Sequence, residues 1–365
     1  MPFSEVTFAS SNCKKMKKTK LYVAITLVLT QTISWAQDTI VISKKEIINK
    51  AADKNLQIKI ADQSFKAAQA DYRQSNALFL PSITASHTGI STTNPLMAFG
   101  SKLNQEILTQ ADFNPALLNN PARTQNFATK IEILQPLINI DGYYGRQAAK
   151  AKMEAFQFQT ERTKEYLELE INKAYMQLQL SYKAVTVLNK ANTTALSNLQ
   201  VVNNYFKQGM LQKTDVLTVE VRVNEIKNQL QYAKSNVQNA SDYLAFLINE
   251  DLSNSVFKPL EALENSINTI ATNPLLSGDR KDLLAMDQSV KAYEKMAQSS
   301  QMNFLPRLNA FGSYELYDKS ILGMGASGYL VGAQLSWNVF DGYKSIGKME
   351  KAKAEHQKSS IENQQ

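Results

Sequence analysis

The chain has 365 residues, 44% of them hydrophobic, and a formal net charge of +7. Five lysines against one glutamate fall within residues 1–36, so the rest of the chain is only mildly basic, which argues against a nucleic-acid partner. The single cysteine, Cys13, precedes the first apolar run, which excludes a disulfide framework from the remainder.

Residues 14–20 read KKMKKTK, residues 21–30 read LYVAITLVLT, and Ser34-Trp35-Ala36 precedes Gln37. A cationic segment, a short apolar segment and small residues before a cleavage point predict a secretory signal peptide over 1–36, cut between Ala36 and Gln37. Met16 is an alternative start, because residues 1–15 lack the character of a signal n-region. The apolar run is too short for a membrane-spanning helix, and no later segment approaches the ~18 apolar residues required.

Residues 37–250 form a first repeat. Ser43-Lys44-Lys45-Glu46 predicts a capping box opening a helix over 43–78. Its apolar stripe Ile58, Ala61, Phe65, Ala68, Tyr72, Ser75, Phe79 is spaced by alternating threes and fours and runs into Phe79-Leu80-Pro81. Strands follow at about 82–90 and 127–139; the first is the weaker, with only Ile83 and Ala85 marking a face. In the second, Phe127, Thr129, Ile131 and Ile133 alternate with Ala128, Lys130 and Glu132. Residues 146–208 contain neither glycine nor proline, so the helix predicted over about 143–208 would run roughly 95 Å. Gly209 stops it. A return helix over about 214–249 carries a strictly heptad stripe from Val216 through Val219, Val223, Ile226, Leu230, Ala233, Val237, Ala240 and Leu244 to Leu247, as in an antiparallel coiled coil.

A connecting segment, 251–279, leads to a second repeat over 280–365. Aligned at an offset of 225, residues 58–85 and 283–310 share 10 identities in 28 positions, among them Phe79-Leu80-Pro81 and Phe304-Leu305-Pro306. At an offset of 200, Asp141-Gly142-Tyr143 matches Asp341-Gly342-Tyr343. The elements recur: a helix over 280–303, strands at about 307–317 and 329–340, and the start of a long helix at 342–365. Tyr329, Val331, Ala333, Leu335, Trp337 and Val339 share one strand face; Gly332, Gln334, Ser336 and Asn338 share the other. Alternation over about ten residues fits a membrane β-strand with lipid outside and water inside, and equally a soluble hairpin with one wet face. Tyr143, Tyr317, Tyr329 and Tyr343 stand near strand ends, as interfacial girdles require. Four strands cannot close a membrane barrel alone, so strands joined to so long a coiled coil imply an oligomer sharing one barrel.

Catalysis finds little footing. His87 and His356 stand apart from any Cys or carboxylate cluster at metal-ligand spacing, and no phosphate loop or nucleophile elbow occurs. Neither a cofactor nor an enzymatic activity is expected. Asp141 and Asp341 each precede a helix and are expected to cap it. Between the two long helices, Gln208–Thr214 forms a tip: Gly209 permits a positive φ, Met210 and Leu211 stand as exposed apolar residues, and Thr214 or Asp215 caps the return helix.

The ordered set resembles the TolC-like outer-membrane factors of efflux and secretion systems. The likeness spans about 40–365. It rests on the signal peptide, the duplicated helix–strand–strand–helix plan, the paired FLP steps, Trp337-Asn338-Val339-Phe340-Asp341-Gly342, and Phe206-Lys207-Gln208-Gly209-Met210-Leu211-Gln212-Lys213-Thr214-Asp215-Val216-Leu217. The resemblance implies a mixed α and β fold: a homotrimer in which each copy gives four strands to a twelve-strand barrel, with long helices forming a periplasmic helical barrel. It implies a passive duct in the outer membrane of a Gram-negative bacterium, meeting lipid, a periplasmic adaptor and an inner-membrane transporter. It further implies that Gly209, Met210 and Leu211 meet the adaptor, and that Asp215 helps hold the tunnel closed. By repeat logic, roughly 85 residues of counterpart to the first hairpin are expected beyond Gln365. A periplasmic coiled-coil adaptor without a barrel is the alternative; it would carry β-rich docking domains outside the coiled coil. The exported substrate is not legible.

Overall fold

The computed structural model describes residues 38–253, 255–263 and 279–365. The expected signal peptide, its Ala36/Gln37 cleavage point and most of the connecting segment lie outside the described residues. In chain order the elements are β1 (Thr39–Ile42), α1 (Lys44–Lys54), α2 (Leu56–Gln74), β2 (Ser82–Thr92), α3 (Pro95–Asn104), α4 (Pro115–Asn119), β3 (Thr124–Ile138), α5 (Ile140–Lys207), α6 (Lys213–Leu247), β4 (Val256–Pro259), α7 (Lys281–Met302), β5 (Arg307–Asp318), β6 (Ala326–Ser336) and α8 (Lys344–Gln364). The described residues divide into two compact units, 38–55 with 168–253 and 255–263, and 56–167 with 279–365. The units cut across the sequence repeats because the strands of both repeats join one sheet in the second unit.

In the first unit, the later part of α5 packs through Ile171, Ala174, Tyr175 and Leu178, all buried. The heptad stripe of α6 is buried throughout except at Val219, which is half-buried. β1 and β4 pair in parallel, Thr39 opposite Val256 and Ile42 opposite Pro259. Ser241, fully buried on α6, accepts a hydrogen bond at Oγ from the Phe257 N–H at 2.8 Å. The Tyr182 hydroxyl donates to the Phe257 carbonyl at 3.1 Å. Tyr175 donates to the Ile42 carbonyl at 3.1 Å and also contacts Glu261; burial and that carboxylate push its pKa up to about 12. The single helix expected over 43–78 is divided at Asn55, whose backbone is extended and whose Nδ2 donates to the Leu247 carbonyl at 2.7 Å. That bond spends the break on fixing the first helix against the end of α6.

In the second unit four strands form an antiparallel sheet in the order β2-β3-β5-β6. Each strand is joined to a helix: α2 leads to β2, β3 to α5, α7 to β5 and β6 to α8. The repeated FLP step has a common physical cause. A helix that ends leaves carbonyls without intrahelical donors. The Phe79 carbonyl is satisfied by Gln135 Nε2 at 2.8 Å, and the Phe304 carbonyl by Trp337 Nε1 at 2.9 Å. In each repeat the returning strand or its exit supplies the missing donor. Pro136 lies at the bulge where the register of β3 and β5 shifts, a position that needs no regular ladder donor. β6 ends at Ser336 rather than near residue 340, because Arg307, the first residue of β5, is the partner of Ser336 and none lies beyond it.

Candidate functional site in the sheet and the hairpin tip

Directly paired residues of antiparallel strands point to the same side of the sheet. The register therefore assigns every side chain to a face. Ile83, Ile133, Gly312 and Val331 form one transverse row, and Ala85, Ile131, Tyr314 and Tyr329 the next on that face. Thr84, Glu132, Ser313 and Leu330 form a row on the other face, beside Ser86, Lys130, Glu315 and Gly328. The first face is apolar and exposed: Val331 is 74% accessible and Ile83 67%. The second holds the charges, with Lys130 Nζ 3.2 Å from Glu132 and 3.5 Å from Glu315. Large contiguous exposed apolar patches are uncommon on water-facing surfaces and mark sites that meet a partner or a membrane. The weak strand 82–90 thus acquires its face from its partners, since Ile83 and Ala85 align with the isoleucines of β3. His87 sits on the apolar side, hydrogen-bonded to Thr129 Oγ1 at 2.9 Å and stacked on Phe127. His356 lies in α8. Of the four candidate girdle tyrosines, Tyr329 stands on the apolar face. Tyr317 does not: paired with Ala128 and Ala326, it lies on the polar face and donates to Glu315.

The matched aspartates at the strand exits differ. Asp341 accepts from the Ser345 N–H at 3.1 Å, at the start of α8. Asp141 does not cap α5. The Gly142 N–H donates instead to Asn139 Oδ1 at 3.1 Å, and Asp141, already within the first turn, pairs with Arg307, Nε to Oδ1 at 3.0 Å. An arginine fork gains more from a carboxylate than a single amide does, so Asp141 turns to β5 and leaves the cap to Asn139. In the first repeat, Ser82 occupies the position that aligns with Arg307.

At the end where β2 turns toward β3 and β5 toward β6, α3 lies against β3 and β6. Its residues Ala98, Ser101 and Gln105 are buried, as are Thr124, Asn126 and Ala326, while the intervening Gln125 is exposed. Gln105 Nε2 donates to Asn126 Oδ1 at 2.7 Å and to the Gln125 carbonyl at 2.8 Å. Asn126 pairs with Ile90 and, four residues from Lys130, shares its face, so α3 covers the polar face. Lys102 and Asp112 hold the excursion together at 2.7 Å; that lysine, with the Thr109 N–H, brings the Asp112 carboxyl down to about 2. No helical period marks this helix between the two predicted strands. Asn94-Pro95 and Asn114-Pro115, each an N-cap before a proline in the first turn, were the available signals.

The hairpin tip belongs to the first unit. Gly209 has φ +79°, its N–H donates to the Phe206 carbonyl, and the Met210 N–H reaches back to the Tyr205 carbonyl at 3.0 Å. This is a Schellman ending, which a residue without Cβ adopts at least cost. Nothing lies within 4 Å of a Cβ built on Gly209, so its backbone and not its surroundings selects glycine. Met210 is 66% exposed and Leu211 half-buried. The N-cap of α6 is Gln212, not Thr214 or Asp215; its N–H donates to the exposed Asp215 carboxylate at 2.9 Å, closing the first turn. Among the described residues no group of three or more His, Cys, Asp or Glu side chains is placed to hold a metal ion. No helix among them is long and apolar enough to cross a membrane.

Residues 47–250 match the family model described as outer membrane efflux protein. The chain belongs to the outer membrane efflux protein family. Membership places it at the outer membrane, in a family of efflux proteins rather than enzymes. Solved structures share the fold of this efflux-family chain at low sequence identity. CusC superposes with a TM-score of 0.72 at 14% identity, covering 91% of this chain and 74% of its own. VceC from Vibrio cholerae gives 0.70 at 13%, covering 88% and 74%. The CmeC channel of Campylobacter jejuni gives 0.70 at 15%, covering 100% and 75%. No curated protein sequence matches the chain.

Proposed function

We propose that the efflux-family chain is one third of a passive export duct in the outer membrane of a Gram-negative bacterium. The observation that carries this reading is the sheet: one exposed apolar face, one charged face, and both outer strands, β2 and β6, without a second strand neighbour among the described residues. Exposed edges of 11-residue strands are normally covered or paired. Three copies joined β6 to β2 would close a twelve-strand barrel with its apolar face in lipid and Lys130, Glu132 and Glu315 in the lumen. The helices attached to the strands would continue the duct into the periplasm. Energy would come from an inner-membrane transporter reached through a periplasmic adaptor.

The tip formed by Gly209, Met210 and Leu211 is the proposed adaptor contact. It is supported by an exposed apolar turn whose glycine is chosen by conformation alone. Asp215 is the proposed gate residue. One of its oxygens closes the first turn of α6, and a carboxylate has further acceptor capacity for donors of a neighbouring copy.

Fractionation of the full-length protein, an unboiled gel and planar-bilayer recording test the duct. The expected result is detergent-dependent extraction from outer membranes, a trimer and ion conductance. A protein released without detergent would overturn the barrel and favour a soluble coiled-coil partner. For the tip, Gly209→Pro or Met210→Glu should abolish transport and adaptor cross-linking while the trimer persists. Undiminished cross-linking would move the docking contact elsewhere.

A further inference from the structure

The helix α3 has two unlike sides. Ala98, Ser101 and Gln105 hold it on the polar face of the sheet. Leu96 and Leu103 project from the opposite side, 82% and 56% exposed, with the half-exposed Met97 flanking them. An amphipathic surface helix normally keeps its apolar side chains on the face that packs. Here the packed face is small and polar and the outward face is apolar, so something other than the helix's own sheet is expected to cover it.

The occupant follows from geometry, and the argument rests on the barrel reading above. Twelve strands about 4.8 Å apart, tilted by about 40°, place the barrel wall roughly 12 Å from its axis. A helix laid on the inside of that wall is itself about 10 Å across. Three such helices, one per copy, cannot stand clear of each other. We propose that the α3 helices of the three copies meet around the axis at the distal mouth of the duct. There Leu96, Met97 and Leu103 form an apolar constriction.

The proposal accounts for three observations together. The excursion between β2 and β3 is folded and pinned by Lys102–Asp112 and by the edge-on stacking of Phe99 and Phe113, unlike a loop that merely spans a gap. Gln105, the residue that ends α3, is buried against the polar wall it bonds. The outward leucines gain a partner of their own kind. Rings of apolar side chains restrict water and ions by dewetting, so such a mouth would open only when the helices part.

The test uses single cysteines in the full-length protein with Cys13→Ser, in outer-membrane preparations treated with a short bismaleimide. Leu103→Cys and, independently, Leu96→Cys should link two copies of each trimer and leave the third unlinked. Ile83→Cys, on the lipid-facing side, should not link. Both leucines are exposed in the protomer, so neither change removes a core contact. A trimer on the unboiled gel with no linkage from either α3 position would overturn the constriction and leave the duct standing. Linkage from Ile83 instead of α3 would also overturn it. Absence of any trimer would overturn the barrel and the constriction together.

Discussion

In the α5–α6 hairpin the apolar stripes turn inward: Leu178, Val216 and Leu244 are almost wholly buried and the charged side chains face out. In the β2-β3-β5-β6 sheet the order is reversed. Ile83, Val331 and Leu335 are exposed, and the charges of Lys130, Glu132 and Glu315 gather on the other face. Both regions repeat apolar residues at regular intervals, of three to four in the helices and two in the strands. What separates them is the medium each apolar face is built to meet. The hairpin's stripe is covered within the protomer. The sheet's face is exposed among the described residues, and in the proposed barrel lipid would cover it.

The largest effect expected from that contrast is in the hairpin. Leu244→Ala removes a side chain that is 0% exposed and should destabilise by about 2–5 kcal/mol, read from denaturant unfolding of the helical signal. A cost near zero would mean the stripe is not a packed seam. Arginine on the apolar sheet face comes next. Val331 lies in the middle of β6, opposite Gly312, so Val331→Arg should cost about 2–4 kcal/mol in outer-membrane folding assays. Leu335, one residue from the end of β6 and opposite Leu308, should tolerate arginine better, at about 0–1 kcal/mol. Gln334→Arg, on the polar face, should fold normally. Equal tolerance at Val331 and Gln334 would erase the distinction between the faces.

A smaller effect concerns acid. Glu250 pairs with Lys54 at 2.6 Å and Lys50 at 3.4 Å, and the Lys54 contact above all lowers its pKa from 4.5. A carboxyl lowered on folding contributes stability that is fully present above its unfolded value and lost as pH falls through its folded one. The melting temperature of the hairpin unit should therefore drop below about pH 4.5, and Glu250→Gln should flatten that part of the profile. The smallest expected change is at Asp215. As part of the first turn of α6 it contributes about 0.3–1 kcal/mol. If it also gates the duct, Asp215→Ala raises single-channel conductance in planar bilayers while stability barely moves. A small stability loss with unchanged conductance would leave it a turn residue only.

Much of this was legible in the residues. Periods of two and of three to four show directly which side chains share a face, so the duplicated plan, both long helices and the two-faced strands could be read without coordinates. Contacts between distant segments could not. Nothing in Asp141-Gly142-Tyr143 distinguishes it from Asp341-Gly342-Tyr343; the two aspartates part company because Arg307 begins β5 and Ser82 begins β2. The break at Asn55 depends on a carbonyl at Leu247, and a stripe that begins only at Ile58, beyond the break, gives no hint of it. Tyr317 looked like a girdle residue from its place near a strand end, but its face is set by register.

The parallel pairing of β1 with β4 has a consequence for how the chain comes together. Thr39–Ile42 finds its partners at Val256–Pro259, after the whole of the sheet's first two strands and the α5–α6 hairpin have been made. Contacts so far apart in sequence form late, whereas the α5–α6 hairpin closes through five residues and can form as soon as it is synthesised. The first strand to appear is therefore among the last to acquire its hydrogen bonds. It waits with a bare edge through most of synthesis, and its four-residue length keeps that edge too short to recruit other chains.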